Sequence, residues 1–150
     1  MALQSRLDWL PALRIYLGLS VISHLAWEIL QLPLYTIWRT GTPREIAFAI
    51  AHCTAGDFII ASLALLAALL VVGDRAWPNE RFMPVMIATL MIGIGYTAYS
   101  EWLNTASRKS WAYTELMPVV PWIGTGLSPL LQWLGVPAIG FSALRRCLNR

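Results

Sequence analysis

Four long apolar stretches, kept almost free of charge, are the feature that most narrows what this chain can fold into. They run from Leu13 to about Leu32, Ile46 to Val72, Met83 to Leu103 and Leu127 to Leu144. Each is near or above the roughly 20 residues a helix needs to cross the hydrocarbon of a bilayer. Only 13% of the 150 residues are charged, where soluble domains carry about 25%. The expected fold is an all-α integral membrane protein, a four-helix transmembrane bundle forming one domain over 1–150. No linker or internal repeat divides it.

The ends of the stretches carry stop signals. Pro33 ends or kinks the first, Gly73-Asp74-Arg75 closes the second, and Arg145-Arg146 follows the fourth. Residues 1–10 alternate polar and apolar and read as an interfacial lead-in. The first stretch is too long for a signal peptide, contains His24 and Glu28, and lacks a small-residue cleavage site. Asn104 to Gly126 is too apolar for a solvated loop and, with Pro118, Pro121 and two glycines, too broken for a span. A re-entrant or interfacial segment between helices 3 and 4 fits it. Trp9, Trp38, Trp77 and Trp111 are expected in the interfacial aromatic belts.

Four spans put both termini on one side. That side holds Arg6, Arg14, Arg75, Arg81, Arg145, Arg146 and Arg150, against Arg39, Arg44, Arg108 and Lys109 on the other. The excess favours cytoplasmic termini, as in a bacterial-type inner (plasma) membrane. The net charge of +3 comes from these flanks rather than a basic run, so nucleic acid is not an expected partner. No GxxxxGK[ST], GxGxxG or GxSxG occurs, which removes the usual nucleotide-binding and α/β-hydrolase signatures. Cys53 and Cys147 lie in or near different apolar segments without CxxC spacing, so neither a disulfide framework nor a zinc ribbon is expected.

Against this background five ionisable residues stand inside the spans: His24, Glu28, His52, Asp57 and Glu101. Each costs at least about 2.5 kcal/mol at membrane depth on insertion scales, so such residues mark function by default. Ser20, His24, Glu28, Gln31 and Tyr35 recur at i+3 and i+4 and share one helical stripe, with Trp27 at its edge. Gly93, Thr97, Ser100, Glu101 and Asn104 form a second stripe, and Ser128, Gln132, Gly135 and Ser142 a milder third. His52 and Asp57 lie about 140° apart around their helix. At a rise of about 1.5 Å per residue, Glu28, His52 and Glu101 lie about 10 Å inside the non-cytoplasmic boundary. His24, Asp57 and Tyr96 lie about 16–18 Å inside it. The polar groups therefore converge in one leaflet, beneath the broken 104–126 segment.

Such a set suits acid–base chemistry on a lipid-soluble, isoprenoid- or sterol-like substrate, for example isomerisation or cyclisation. The expected proton-handling residues are His24 and Glu28, with Asp57 and Glu101 as partners. Trp27, Gln31, Tyr96, Thr97, Trp102 and Asn104 are the expected substrate contacts, the aromatic faces being suited to a cationic intermediate. The His24-Leu-Ala-Trp-Glu28 helix resembles the HxxxE helix of the sterol-isomerase group of EXPERA membrane proteins. That resemblance implies His24 and Glu28 as the proton-handling pair, with Glu101 or Asp57 as the carboxylate from a neighbouring helix.

Other readings of the same residues stay open. His24 and Glu28 also suit a buried hydrogen-bonded pair that fixes helix packing. His24, Glu28, His52, Asp57 and Glu101 are candidate ligands for a divalent metal such as zinc, iron or copper, in a hydrolase or oxidoreductase. The two histidines differ in depth by about 6 Å, which is awkward for joint ligation of one haem. A transporter or an accessory subunit of a membrane complex would use buried carboxylates for ion passage, and homo-oligomerisation would suit so small a bundle.

Overall fold

The computed structural model describes residues 8–149, and among these it is helical with irregular connections. Helix α1 (Trp9–Gln31) runs into a 3₁₀ turn at Leu32–Leu34, and a short α2 (Ile37–Thr40) follows. Helix α3 covers Pro43–Val72 and α4 covers Phe82–Trp102, which continues as a π turn over Leu103–Ser107. Helix α5 covers Leu127–Leu148. The stretches Trp9–Leu34, Pro43–Val72, Phe82–Ser107 and Leu127–Leu148 are each long and apolar enough to cross a membrane. The lead-in expected over 1–10 falls mostly outside the described residues, and α1 has begun by Trp9.

Local chemistry sets the helix ends. Pro33 lacks the amide proton that an α-helix interior requires, and α1 tightens into its 3₁₀ turn there. Thr42 caps α3 through a reciprocal bond pair with Glu45, and Pro43 occupies the first helical position, where a missing N–H costs nothing.

Each long helix packs against two others: α1 on α3 and α5, and α4 on α3 and α5. At the end carrying the termini, Ala12, Tyr16, Leu65, Ala68, Trp77, Val85, Phe141 and Leu144 form a buried cluster. Small residues bring the helices together. A side chain at Gly140 would run into the Tyr16 ring, and one at Gly93 into Trp133. Trp77 is only 3% exposed and belongs to this core rather than to an interfacial belt. Its place follows from the α3–α4 connection folding back under the bundle, where it joins the apolar cluster.

All the fully buried residues of α3 lie between Ala61 and Ala68. Its first half, Pro43 to Ile60, has none, and there the helix stands off from its neighbours. The broken segment forms an irregular lid over 108–126 rather than a further helix. Tyr113 pairs with Tyr35 in an antiparallel bridge, the Thr36 amide donates to Ala112 O (2.9 Å), and the Thr114 amide donates to Leu34 O (2.9 Å). Arg39 and Glu115 add a two-pronged ion pair (3.0 and 2.5 Å). The lid is thereby tied to the α1–α3 connection.

Candidate functional site

The gap left by the first half of α3 is a cavity of about 1320 Å³. Four helices contribute to its wall, and most of the polar residues expected to converge are on it: Glu28 and Gln31 from α1, His52 and Asp57 from α3, and Glu101 and Gln132 from α4 and α5. Tyr96, Thr97 and Asn104 also face it. The i+3 and i+4 stripes on α1 and α4 produce this arrangement, because each turns one polar edge inward.

At the centre of the wall is Gln132, expected on the α5 stripe but not among the catalytic or substrate-contacting residues. The side-chain amide nitrogen of Gln132 lies 3.0 Å from Glu28 Oε1, 2.9 Å from Asp57 Oδ2 and 2.9 Å from His24 Nδ1. Gln31 also donates to Glu28 (2.8 Å), while its own carbonyl accepts from Ser128 (2.9 Å), which accepts from Trp27 Nε1 (3.2 Å). An amide nitrogen offers two protons to these three acceptors. One further proton, or a cation, completes the set of two carboxyls and an imidazole.

His24 is fully buried and stands behind this wall, not on it. Its Nδ1 lies 3.4 Å from Asp57 Oδ2, and its ring stacks obliquely on Trp133 (centroids 5.1 Å apart). Asp57 retains 14% side-chain exposure, toward the cavity. Any effect of His24 on a ligand therefore passes through Asp57 or Gln132.

Glu101 forms a separate station. It accepts a hydrogen bond from the Tyr113 hydroxyl, which itself accepts from the Gly126 amide (2.9 Å). This joins α4, the lid and the start of α5. Burial, with the adjacent carboxylate, pushes the Tyr113 phenol above its ordinary range, and burial does the same to Tyr35. Both therefore stay protonated donors across neutral pH.

The remaining expected residues divide. His52 is on the cavity edge, exposed and stacked on Phe48 (5.5 Å, 16°), and has no contact with His24. Trp27 faces Ser128 at the α1–α5 seam, and Trp102 packs outward near Tyr99, so neither lines the cavity. Their neighbours Glu28 and Glu101 face inward because successive helical residues turn by about 100°. Among the described residues no group of three or more His, Cys, Asp or Glu is arranged to hold a metal ion. Gln132 was legible only as part of the mild α5 stripe, and Tyr113 gave no signal, since its role depends on how the lid docks.

No family model, curated protein or solved structure matches this chain.

Proposed function

We propose that this chain is an integral membrane enzyme that moves protons on a lipid-soluble, isoprenoid- or sterol-like molecule, in an isomerisation or cyclisation. The observation that carries the reading is the meeting of Glu28 and Asp57, from two helices, on the Gln132 amide at the wall of a large cavity. Two oxygen acids held on one donor, with an imidazole behind them, form a proton donor and acceptor pair. In an isomerisation, protonated Asp57 gives its proton to one alkene carbon, the cation forms on the other, and Glu28 takes a proton from the allylic carbon next to that cation. The double bond shifts and the pair exchanges its single proton. His24 holds Asp57 in position, while Gln31, Thr97 and Asn104 contact the substrate and Tyr96 offers an aromatic face. The membrane setting is supported by Ile22, Leu30, Leu70 and Val71, which stand exposed on the outer faces of the helices. Exposed Leu116, Val119, Trp122 and Ile123 suit an interfacial lid. The charge asymmetry orients both termini to the cytoplasm, so the cavity opens toward the other side.

The test works on a mixture of candidate substrates. Purified protein is incubated with membrane lipid extract in D₂O, and the lipids are read by mass spectrometry. The wild type is expected to put solvent deuterium into a lipid, and Asp57→Asn and Glu28→Gln to abolish it. No labelled or rearranged lipid with the wild type would overturn the reading in favour of a transporter or accessory subunit. Stoichiometric zinc, iron or copper, lost in His24→Ala and Glu101→Ala, would replace it with metal-assisted chemistry.

A further inference from the structure

Three of the buried polar groups on one stripe of α1 have a common peculiarity. Tyr16 Oη, Ser20 Oγ and His24 Nε2 are all buried and find no hydrogen-bond partner within the protein, and Trp77 Nε1 at the end carrying the termini is in the same condition. Buried polar atoms are almost always satisfied, by protein or by ordered water. Tyr16 and Trp77 belong to one buried cluster, and Tyr16, Ser20 and His24 succeed one another at i+4. Each step along α1 is about 6 Å, close to the span of one water making two hydrogen bonds of about 2.8 Å. Trp77 also lines a recess of about 300 Å³ at this end, together with Asp74 and Arg75.

We propose that this stripe holds a file of ordered water that carries protons between the recess at Asp74 and the cavity at Asp57. His24 is the link. With Nδ1 accepting from Gln132, the ring proton sits on Nε2 and needs an acceptor on the side facing Ser20. A proton leaving Asp57 Oδ2 enters the ring at Nδ1 as the Nε2 proton departs to the water beside Ser20. The reverse pair of transfers brings a proton in. Each passage moves one proton and leaves the ring neutral in its other tautomer, and reorientation of the ring restores the Nε2–H form before the next proton follows in the same direction. The file and the cavity together make a proton path through the whole bundle, whatever substrate the cavity takes.

Proton flux into vesicles reconstituted with the full chain tests this. A pH dye is trapped inside, and a potassium gradient with valinomycin supplies the driving potential. Wild-type protein is expected to pass protons faster than protein-free vesicles. Ser20→Leu, which fills the file, is expected to fall to the protein-free level, and Ser20→Ala and Tyr16→Phe to slow the flux. Ser62→Ala is expected to match the wild type, because that hydroxyl bonds its own helix at Phe58 O. Each variant is first shown to elute and melt like the wild type, and Ser20→Ala, which removes only an oxygen, covers the case where leucine unsettles the fold. Wild-type flux equal to that of protein-free vesicles would overturn the path, as would undiminished flux in a folded Ser20→Leu. The enzyme reading fails separately: deuterium label without flux removes the path alone, and flux without label removes the enzyme alone.

Discussion

The two halves of α3 sit in opposite surroundings. From Ala61 to Ala68 its small residues are buried against α1 and α4, in a core closed by Tyr16, Val85, Phe141 and Leu144. From Pro43 to Ile60 no residue is fully buried, and the space beside it is the cavity. The polar network of Glu28, Asp57 and Gln132 lies beside this open half, which supplies Asp57 while α1 and α5 supply the other two. One half therefore supplies the packing that holds the bundle, and the other carries groups that packing alone would not retain. This division lets a small bundle keep costly polar groups without losing its fold.

Phe141→Ala should destabilise by about 3–5 kcal/mol, since a fully buried ring leaves a cavity behind. Phe48→Ala, on the open half of α3 and 68% exposed, should change stability by no more than about 0.5 kcal/mol. Thermal unfolding in one detergent compares them, and similar losses would mean that the open half is as tightly built as the closed one. Gly93→Val belongs with the first group, because its side chain would meet the Trp133 ring, an overpacking worth about 1–3 kcal/mol.

Next in size is Gln132→Leu. It strips the shared donor from Glu28, Asp57 and His24 and should destabilise by about 1–3 kcal/mol while abolishing deuterium incorporation. Glu28→Gln keeps the shape and removes an acid, so it should be neutral or stabilising while also abolishing incorporation. A marked loss of stability in Glu28→Gln would show that the network serves the fold instead.

How much of this was legible follows the same division. The spans were readable because apolar length is a property of the chain alone, and each structural helix encloses the expected stretch. The inward stripe of Ser20, His24, Glu28 and Gln31 was readable because i+3 and i+4 spacing fixes a helical face. Gln132 was not, because an uncharged glutamine becomes a hub only when α1 and α3 both aim acceptors at it. Trp77 was misplaced in the interface, since nothing local tells that the α3–α4 connection folds inward. Tyr113 meets Glu101 where the lid also pairs with Tyr35, a contact between segments far apart in sequence that no local pattern announces.

The lid is fastened by weaker bonds than the closed half of α3. Tyr113→Phe removes the donor to Glu101 and the acceptor for the Gly126 amide and should cost about 1 kcal/mol. The loss should appear as faster amide hydrogen exchange over 108–126, with the buried stretch of α3 unchanged. Faster exchange in both would mean that the lid supports the closed half as well.

The smallest effect is the Arg39–Glu115 pair, which lies wholly at the surface. The hydrogen bond from Arg39 holds the Glu115 carboxyl below its ordinary range. A depressed carboxylate stabilises the folded state above its unfolded pKa, about 4.3 for glutamate. That contribution is lost as pH falls through the lower folded value. The protection of the lid amides, taken relative to their intrinsic exchange rate at each pH, should therefore be slightly lower at strongly acidic pH than at pH 7, and Arg39→Ala should erase the difference attributable to this pair. High salt should do the same at neutral pH, because exposed charges are screened. If salt and Arg39→Ala leave lid exchange untouched while Tyr113→Phe does not, the lid is held by its backbone bridge and the Tyr113–Glu101 bond, and its fastening belongs to the cavity rather than to the surface.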